Sequence, residues 1–451
     1  MKLPVALLDS LEGVEGFDKD EFVAIHQSGN QVTSIRLNQF KQANSLEKYY
    51  SKAIPWCKNA FYLNERPSFT LDPVFHAGGY YVQEASSMFL WHILEQLIGN
   101  DTNGKKVLDL CAAPGGKSTL LASYFTDGLV VANELIKSRS AILVENVIKW
   151  GLPNIIVTNN DPSHFNKLIG FFDVIVVDAP CSGSGLFRKD PSAIEEWSED
   201  NVLHCSQRQE RILADIIPSL KDNGVLLYST CSYSIDEDEK IADWLVEKMD
   251  MQTLEIDFPL SWKIVTSESP SSKSVGYRFY PYLINGEGFY VAAFKKTGSI
   301  LMNKYKETVL LKPSKIELAH INQFYSIPVE YNTFKQNEAI RVIPESWYFV
   351  LMQLVSVLYI KKAGIEIGTI KGKDVIPAHE LAVSVLDKSA FNLIELNKEA
   401  SLQYLRRKEI QLSTTIGWSL VTFQGAYLGW IKGLQNRINN YYPADWRILK
   451  D

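Results

Sequence analysis

Between residues 104 and 297 the chain repeats one rhythm, a short apolar run followed by an amphipathic stretch, and this restricts it to a parallel sheet flanked by helices. The strand candidates are 106–110, 129–133, 154–159, 172–178, 225–230 and 289–294. Helical spacing falls between them, over 117–124, 138–150, 201–219 and 236–248. The expected fold class is α/β, a doubly wound domain whose ligands sit outside the C-terminal ends of the strands.

At 451 residues the chain exceeds what one hydrophobic core supports, so further domains are expected around this one. An N-terminal α+β segment is expected over 1–75, the doubly wound domain over 76–297 with a helix-like start at 87–98, and a polar linker over 298–312. Glycine-broken β-rich runs then suggest an intermediate domain over 313–385 and a last one over 386–451. No apolar run reaches the roughly 18 residues of a membrane span, and the opening MKLPVALLDSLEG has too short an apolar stretch for a signal peptide, so a cytoplasmic location is expected. The five cysteines lie apart, without CxxC pairing, so neither a metal site nor a disulfide framework is expected. The net charge of −6 argues mildly against nucleic acid, although clusters such as Arg406, Arg407 and Lys408 could bind phosphate locally.

The segment VLDLCAAPGGKSTLLA places Asp109 near a strand end, then a small-residue turn, then a helix start. Gly115 and Gly116 leave the backbone open to a ligand, and free N–H groups at a helix start can receive a carboxylate. Cys111 stands where a P-loop needs its first glycine, and G-x-G-x-x-G is absent, so phosphate readings are weak. Glu134 after the second strand is suited to ribose hydroxyls, and Asp161 after the third to an exocyclic amine. Each acid alone reads as a cap or turn residue; after consecutive strands they favour a nucleoside.

Two more strands end in cysteines. FDVIVVDAP runs into Cys181, and GVLLYST into Cys231. If these strands are neighbours, both thiols face the nucleoside cleft. A lone cysteine is usually a buried filler, and Cys111 and Cys205 are read so, while Cys57 is left undecided with a lean toward a structural role. Two thiols beside a methyl donor suit methylation at carbon 5 of cytosine, where a thiolate adds to carbon 6 and a second thiol helps release the adduct. Asp178 could hold a proton at N3 or the exocyclic amine. The nucleophile would need a nearby positive charge or a helix N-terminus, and a helix start near Ser234 and Asp236 would supply one.

The motifs CAAPGGKS (111–118), DAPCSGSG (178–185) and STCSYS (229–234) resemble those of the Nol/Nop/Sun family of RNA cytosine-C5 methyltransferases. YYVQEASS and YRFYPYLINGEGFYVAAF, with Arg278 and Pro281, match more weakly. IRLNQFK and PWCKNAFYL, near the N-terminus, are similar to the F-type bacterial branch that modifies 16S ribosomal RNA. GIEIGTIKGKDVIPAHELA and GWSLVTFQGAYLGWIKG look like its PUA-type RNA-binding portion. The resemblance implies a Rossmann-like S-adenosylmethionine domain between RNA-binding ends. It implies that Cys111, Ala112, Ala113, Pro114, Gly115, Gly116 and Lys117 form the cofactor loop, with Glu134 at the ribose and Asp161 at the adenine. It further implies that Asp178 sits between cofactor and cytosine, that Cys231 is the nucleophile, that Cys181 assists release, and that Lys189 and Pro180 support them.

The expected partner is 16S ribosomal RNA in the small subunit, the expected state a monomer, and Arg406, Arg407, Lys408 and Arg437 are candidates for phosphate contact. Trp418 and Trp430, by contrast, read more readily as core than as base platforms. A transfer RNA substrate is the nearest alternative. An inactive RNA-binding assembly factor is a rival of another class, and a DNA enzyme with Cys181 as nucleophile is another.

Overall fold

The structure is a computed structural model that describes residues 2–42, 44–298, 305–412 and 415–450. The N-terminal segment forms an antiparallel four-stranded sheet from β1 (Thr33–Leu37), β2 (Tyr50–Ala53), β3 (Ala60–Leu63) and β4 (Tyr80–Val82), in the order β2-β3-β1-β4. Asp18 starts the helix Lys19–Gln27 by accepting from the Asp20 and Glu21 amides, a cap that satisfies two otherwise free donors.

The central sheet has ten strands: β5 (Lys106–Asp109), β6 (Leu129–Asn133), β7 (Ile155–Thr158), β8 (Phe172–Asp178), β9 (Leu220–Thr230), β10 (Met251–Leu254), β11 (Val265–Glu268), β12 (Val275–Phe279), β13 (Phe289–Lys296) and a later one described below. The run β9-β8-β5-β6-β7 is parallel, and its strands are buried on both faces, which their near-continuous Val, Ile and Leu content requires. This is the doubly wound, Rossmann-like order, with the winding reversing between β5 and β8. The helices Gly116–Tyr124, Lys137–Trp150, Glu199–Ile216 and Glu239–Lys248 connect these strands. β13 joins β9 antiparallel, and β12 and β11 extend that edge.

The C-terminal portion holds two more four-stranded sheets. The first takes β14 (Tyr331–Gln336), β15 (Ala339–Pro344), β17 (Ile365–Lys371) and β18 (Asp374–Pro377). Between them β16 (Ile360–Lys362) leaves to pair with β7, so this region adds the tenth strand to the central sheet. The last sheet takes β19 (Asn392–Glu395), β20 (Gly417–Phe423), β21 (Ala426–Gly433) and β22 (Ile438–Asn440). Ile340, Ile365 and Leu381 share a core with Leu420 and Trp430, so the two C-terminal sheets pack together. Residues 299–304 of the expected linker lie outside the described residues; the remainder is anchored, with Leu310 buried and the Tyr305 hydroxyl donating to the Ile169 carbonyl. No described helix is long and apolar enough to cross a membrane.

Candidate active site

Three turns leave the C-terminal ends of β5, β8 and β9 and meet in one cleft of about 400 Å³, within the range of about 300–1,000 Å³ usual for small-molecule sites. From β5 the chain passes through Cys111, Ala112, Ala113 and Pro114 into the helix at Gly116, and all of these line the cleft. Gly115 caps that helix with φ +114°, a left-handed backbone that a β-carbon would strain. Asp109 at the base of the loop is fully buried: Ser118 Oγ donates to one oxygen at 2.6 Å, while the other has no hydrogen bond. Burial pushes its carboxyl up to about 7. Burial likewise raises the Cys111 thiol, which stays neutral although it faces the cleft.

Glu134, 4% exposed, accepts from the Ile136 amide at 2.8 Å, and lies 3.8 Å from Arg139, which itself donates to the Ala113 carbonyl. The acid is thereby joined to the loop after β5. Asp161 is placed differently: its carboxylate is exposed and accepts from the Ser163 amide and hydroxyl, so it caps a short turn and is not a wall of the cleft. Its neighbour Asn160 is engaged by Tyr359, from the stretch just before β16.

On the other side, β8 and β9 are parallel neighbours with Asp178 opposite Ser229. The thiols that follow them approach to 3.1 Å, Cys181 Sγ to Cys231 Sγ. Cys231 lines the cleft; Cys181 is not among its lining residues, although both thiols are half-buried. The hydrogen bond with Cys231, and then burial, hold the Cys181 thiol well above its usual range. Lys117 Nζ lies 2.8 Å from Asp178, whose other oxygen accepts from Ser229 Oγ. Burial opposes the charge on Lys117, but Asp178 outweighs it and the net shift is upward; Asp109 and Cys231 act in the same sense. Lys189 is exposed at the cleft rim.

The expected helix start beside Cys231 is not where the sequence suggested. The helix begins at Glu239, because residues 235–238 form a turn crowded with carboxylates. The positive charge near Cys231 is therefore Lys117, from the opposite loop. What sequence reading missed is the clasp that holds the two thiol loops together. The buried Glu237 carboxylate accepts from the Ser182 amide and hydroxyl at 2.7 and 2.5 Å and from Ser232 Oγ at 2.6 Å. Gly185 donates to the Cys231 carbonyl at 2.8 Å, and a β-carbon there would lie 2.8 Å from that same oxygen. Arg278 ties the next residues down through the Tyr233 carbonyl and the Glu239 carboxylate. Nothing in the run SIDEDE separates Glu237 from its neighbours. Only the fold shows which acid turns inward.

Of the other cysteines, Cys57 is buried and burial pushes it up to about 12, while Cys205 is on the helix Glu199–Ile216. In the last domain Trp430 is core, donating to the Ala378 carbonyl, and Trp418 packs edge-on to it. Arg437 and Lys408 are exposed; Arg406 and Arg407 donate to the Lys450 and Tyr442 carbonyls, so each uses part of its guanidinium within the chain.

Comparison with known proteins agrees with this geometry. The family model for 16S rRNA methyltransferase RsmB/F matches residues 96–295, that for the N-terminal domain of 16S rRNA methyltransferase RsmF matches 3–85, and that for the methyltransferase RsmF PUA domain matches 391–448. The ribosomal RNA small subunit methyltransferase F of Aliivibrio salmonicida is 31% identical over 94% of this chain and 93% of its own length. That of Shewanella piezotolerans is 29% identical over 93% and 91%. A solved methyltransferase homolog from Pyrococcus horikoshii is 28% identical, with a TM-score of 0.51 over 65% of this chain and all of its own. With a relative above 30% identity across nearly the whole of both chains, this chain belongs to the ribosomal RNA small subunit methyltransferase F family of S-adenosylmethionine-dependent enzymes.

Proposed function

We propose that the protein methylates carbon 5 of a cytosine in 16S ribosomal RNA, with Cys231 as nucleophile and Cys181 as the group that assists release. The observation that carries this reading is the pair of thiols 3.1 Å apart at adjacent strand ends, one of them in the wall of the cleft that the cofactor loop shares. The loop suits S-adenosylmethionine: an unpartnered buried oxygen of Asp109 lies at its base, its helix start offers free amides, and Glu134 is linked to it through Arg139. When bound, the cofactor supplies an electrophilic methyl group.

The chain's own residues do the rest. Cys231, with the Lys117 ammonium nearby, adds through its sulfur to carbon 6 of the base, and carbon 5 becomes nucleophilic. Asp178, oriented by Lys117 and Ser229, holds a proton at N3 or the exocyclic amine and stabilises the adduct. The hydrogen bond shared with Cys231 is the largest reason that Cys181 stays protonated. Once the Cys231 sulfur is bonded to carbon, that restraint falls away and Cys181 can ionise and take the proton from carbon 5. The carbon–sulfur bond then breaks and Cys231 leaves as thiolate. Cys181 as first nucleophile, the DNA-enzyme pattern, fits less well because Cys231, and not Cys181, is among the residues that line the cleft.

In this reading Lys189 meets the RNA at the rim, and Arg406, Arg407, Lys408 and Arg437 contact its phosphates, in a cytoplasmic monomer. Bisulfite sequencing of ribosomal and transfer RNA from cells with and without the gene tests it. The expected result is one or more 16S cytosine marks restored by the wild type and not by Cys231→Ala. An unchanged methylation map overturns the reading in favour of an inactive RNA-binding factor, and a mark lost from transfer RNA changes the substrate.

A further inference from the structure

A second hollow of about 390 Å³ adjoins the catalytic cleft, between the N-terminal sheet and the β10–β13 side of the central domain. Its floor is aromatic: the indoles of Trp56 and Trp262 meet at 5.6 Å and 61°, with Tyr62 beside them. Trp56 is fixed by its ring N–H, which donates to the Ala85 carbonyl at 2.7 Å, whereas Trp262 is only half-buried. The rim is polar and positive. Lys52 on β2 and Lys263 are exposed, neither ion-pairs with a described residue, and no carboxylate is among the walls. Lys263 has φ +56°, a conformation that a residue with a β-carbon adopts at a cost and that fixes where its side chain leaves the backbone.

One strap joins the hollow to the active site. Leu283, Ile284 and Asn285 line the hollow, and Glu287, Gly288 and Phe289 line the cleft that holds Cys231. Asn285 and Glu287 are two residues apart, so the backbone between the two sites spans at most about 7 Å. That is within the reach of neighbouring nucleotides on one unstacked strand.

We propose that the hollow holds a nucleotide next to the target cytosine on the same RNA strand, its base on the Trp56, Trp262 and Tyr62 surface and its phosphates at Lys52 and Lys263. Resting on the RNA-methylation reading above, it adds a recognition subsite to it. Every base has a π face, so such a wall takes single strands with little regard to sequence, while Asn285 offers both a donor and an acceptor to a base edge. Exposed lysines suit phosphate because each contact releases condensed counterions. The subsite would pull the strand through a sharp bend at the strap, which is what presenting one unstacked base to Cys231 requires.

The test measures affinity of wild type, Lys52→Glu/Lys263→Glu and Trp262→Ala for labelled oligocytidylate and for transcribed 16S rRNA across a salt series, with methyl transfer from tritiated S-adenosylmethionine in parallel. The charge-reversed variant is expected to bind both RNAs about tenfold or more weakly, with a shallower salt slope, while its affinity for S-adenosylmethionine is unchanged. Trp262→Ala is expected to lose affinity at every salt concentration without changing the slope, the mark of stacking rather than charge. Restoring both positions as arginine is expected to recover binding. Wild-type affinity and slope in the charge-reversed variant overturn the subsite, and if the wild type still methylates cytosine, the methylation reading stands alone. If the variant loses RNA affinity but the wild type transfers no methyl to either RNA, the subsite stands and the methylation reading falls.

Discussion

Two of the buried charge clusters among the described residues differ in balance. Beside Cys231, of three consecutive buried acids, Asp238 and Glu239 share one cation, Arg278, while Glu237 is held by the uncharged groups of Ser182, Ser232 and Gln209. One Asp238 oxygen has no hydrogen bond, and burial holds both Glu237 and Asp238 above the usual carboxylate range. Around the first C-terminal sheet, Arg341 and Glu366 of that sheet meet Lys362 on β16 and Glu380 on the helix His379–Val383 at 2.6–2.8 Å, two cations against two acids. There burial again opposes ionisation of Glu380, but Lys362 and Arg341 outweigh it and its pKa is lowered. The balanced cluster is what a structural tie requires. The acid-rich one is poorly compensated, and it persists where it holds two thiol loops at bonding distance, as local compromises at functional sites do.

On the proposed mechanism, removing a reacting thiol gives the largest effect on the catalytic side. Cys231→Ala is expected to lower methyl transfer into 16S rRNA by about a thousandfold or more, with S-adenosylmethionine affinity retained, as a missing nucleophile predicts. Substantial residual turnover would reverse the order of the two cysteines. Cys181→Ala is expected to form the protein–RNA adduct and release it slowly, visible as a shifted band on denaturing gels; free turnover without an adduct would remove its role. Breaking the balanced cluster is the next largest. Arg341→Met strands Glu366 and half of the Glu380 pairing, and is expected to destabilise the chain by about 3–5 kcal/mol in urea titration. A smaller loss would mean that Lys362 alone suffices.

The smallest effects are in pH. Burial raises Glu287, in the cleft wall, from about 4.5 to about 7. A carboxyl raised on folding contributes stability that is full below its unfolded value and is lost as pH rises through its folded one, so this group makes the protein less stable between about pH 4.5 and 7. Glu287→Gln is expected to flatten that decline, by at most about 1.4 kcal/mol per pH unit, and an unchanged slope of melting temperature against pH would show that other acids dominate. Glu380 runs the other way: its lowered pKa contributes stability above about 4.5 that disappears as pH falls. Glu237→Gln is expected to slow methylation about tenfold by loosening the clasp, with less pH-dependent destabilisation than the wild type; an unchanged rate would leave the thiol loops held by Gly185 and Arg278 alone.

The central strands were legible because their burial on both faces writes itself into continuous runs, and β6 and β8 fall at the predicted residues. The strand ending in Thr230 begins five residues earlier than its apolar run, since Leu220 already pairs with Phe172 and a bulge carries the polar residues up to Val225, where regular pairing resumes. The placement of the small-residue loop after β5 and of the two cysteines after β8 and β9 was legible too, because their spacing along the strands is local. Asp161 misled in part: an acid after a strand serves as well to cap a turn, and the choice depends on where its side chain points. The strand β16 could not be assigned from its sequence, because three residues joining a distant sheet have no periodicity of their own.

The sequence by itself determined the doubly wound sheet, the loop of small residues and the thiols at two strand ends, since hydrophobic period and glycine placement act within a few residues. Tertiary structure alone decided that the thiols touch, that Lys117 rather than a helix start supplies the positive charge, and that Glu237 clasps both loops. Those are meetings of residues dozens of positions apart, brought together when parallel strands pair, and no local pattern encodes which of several buried acids will face inward.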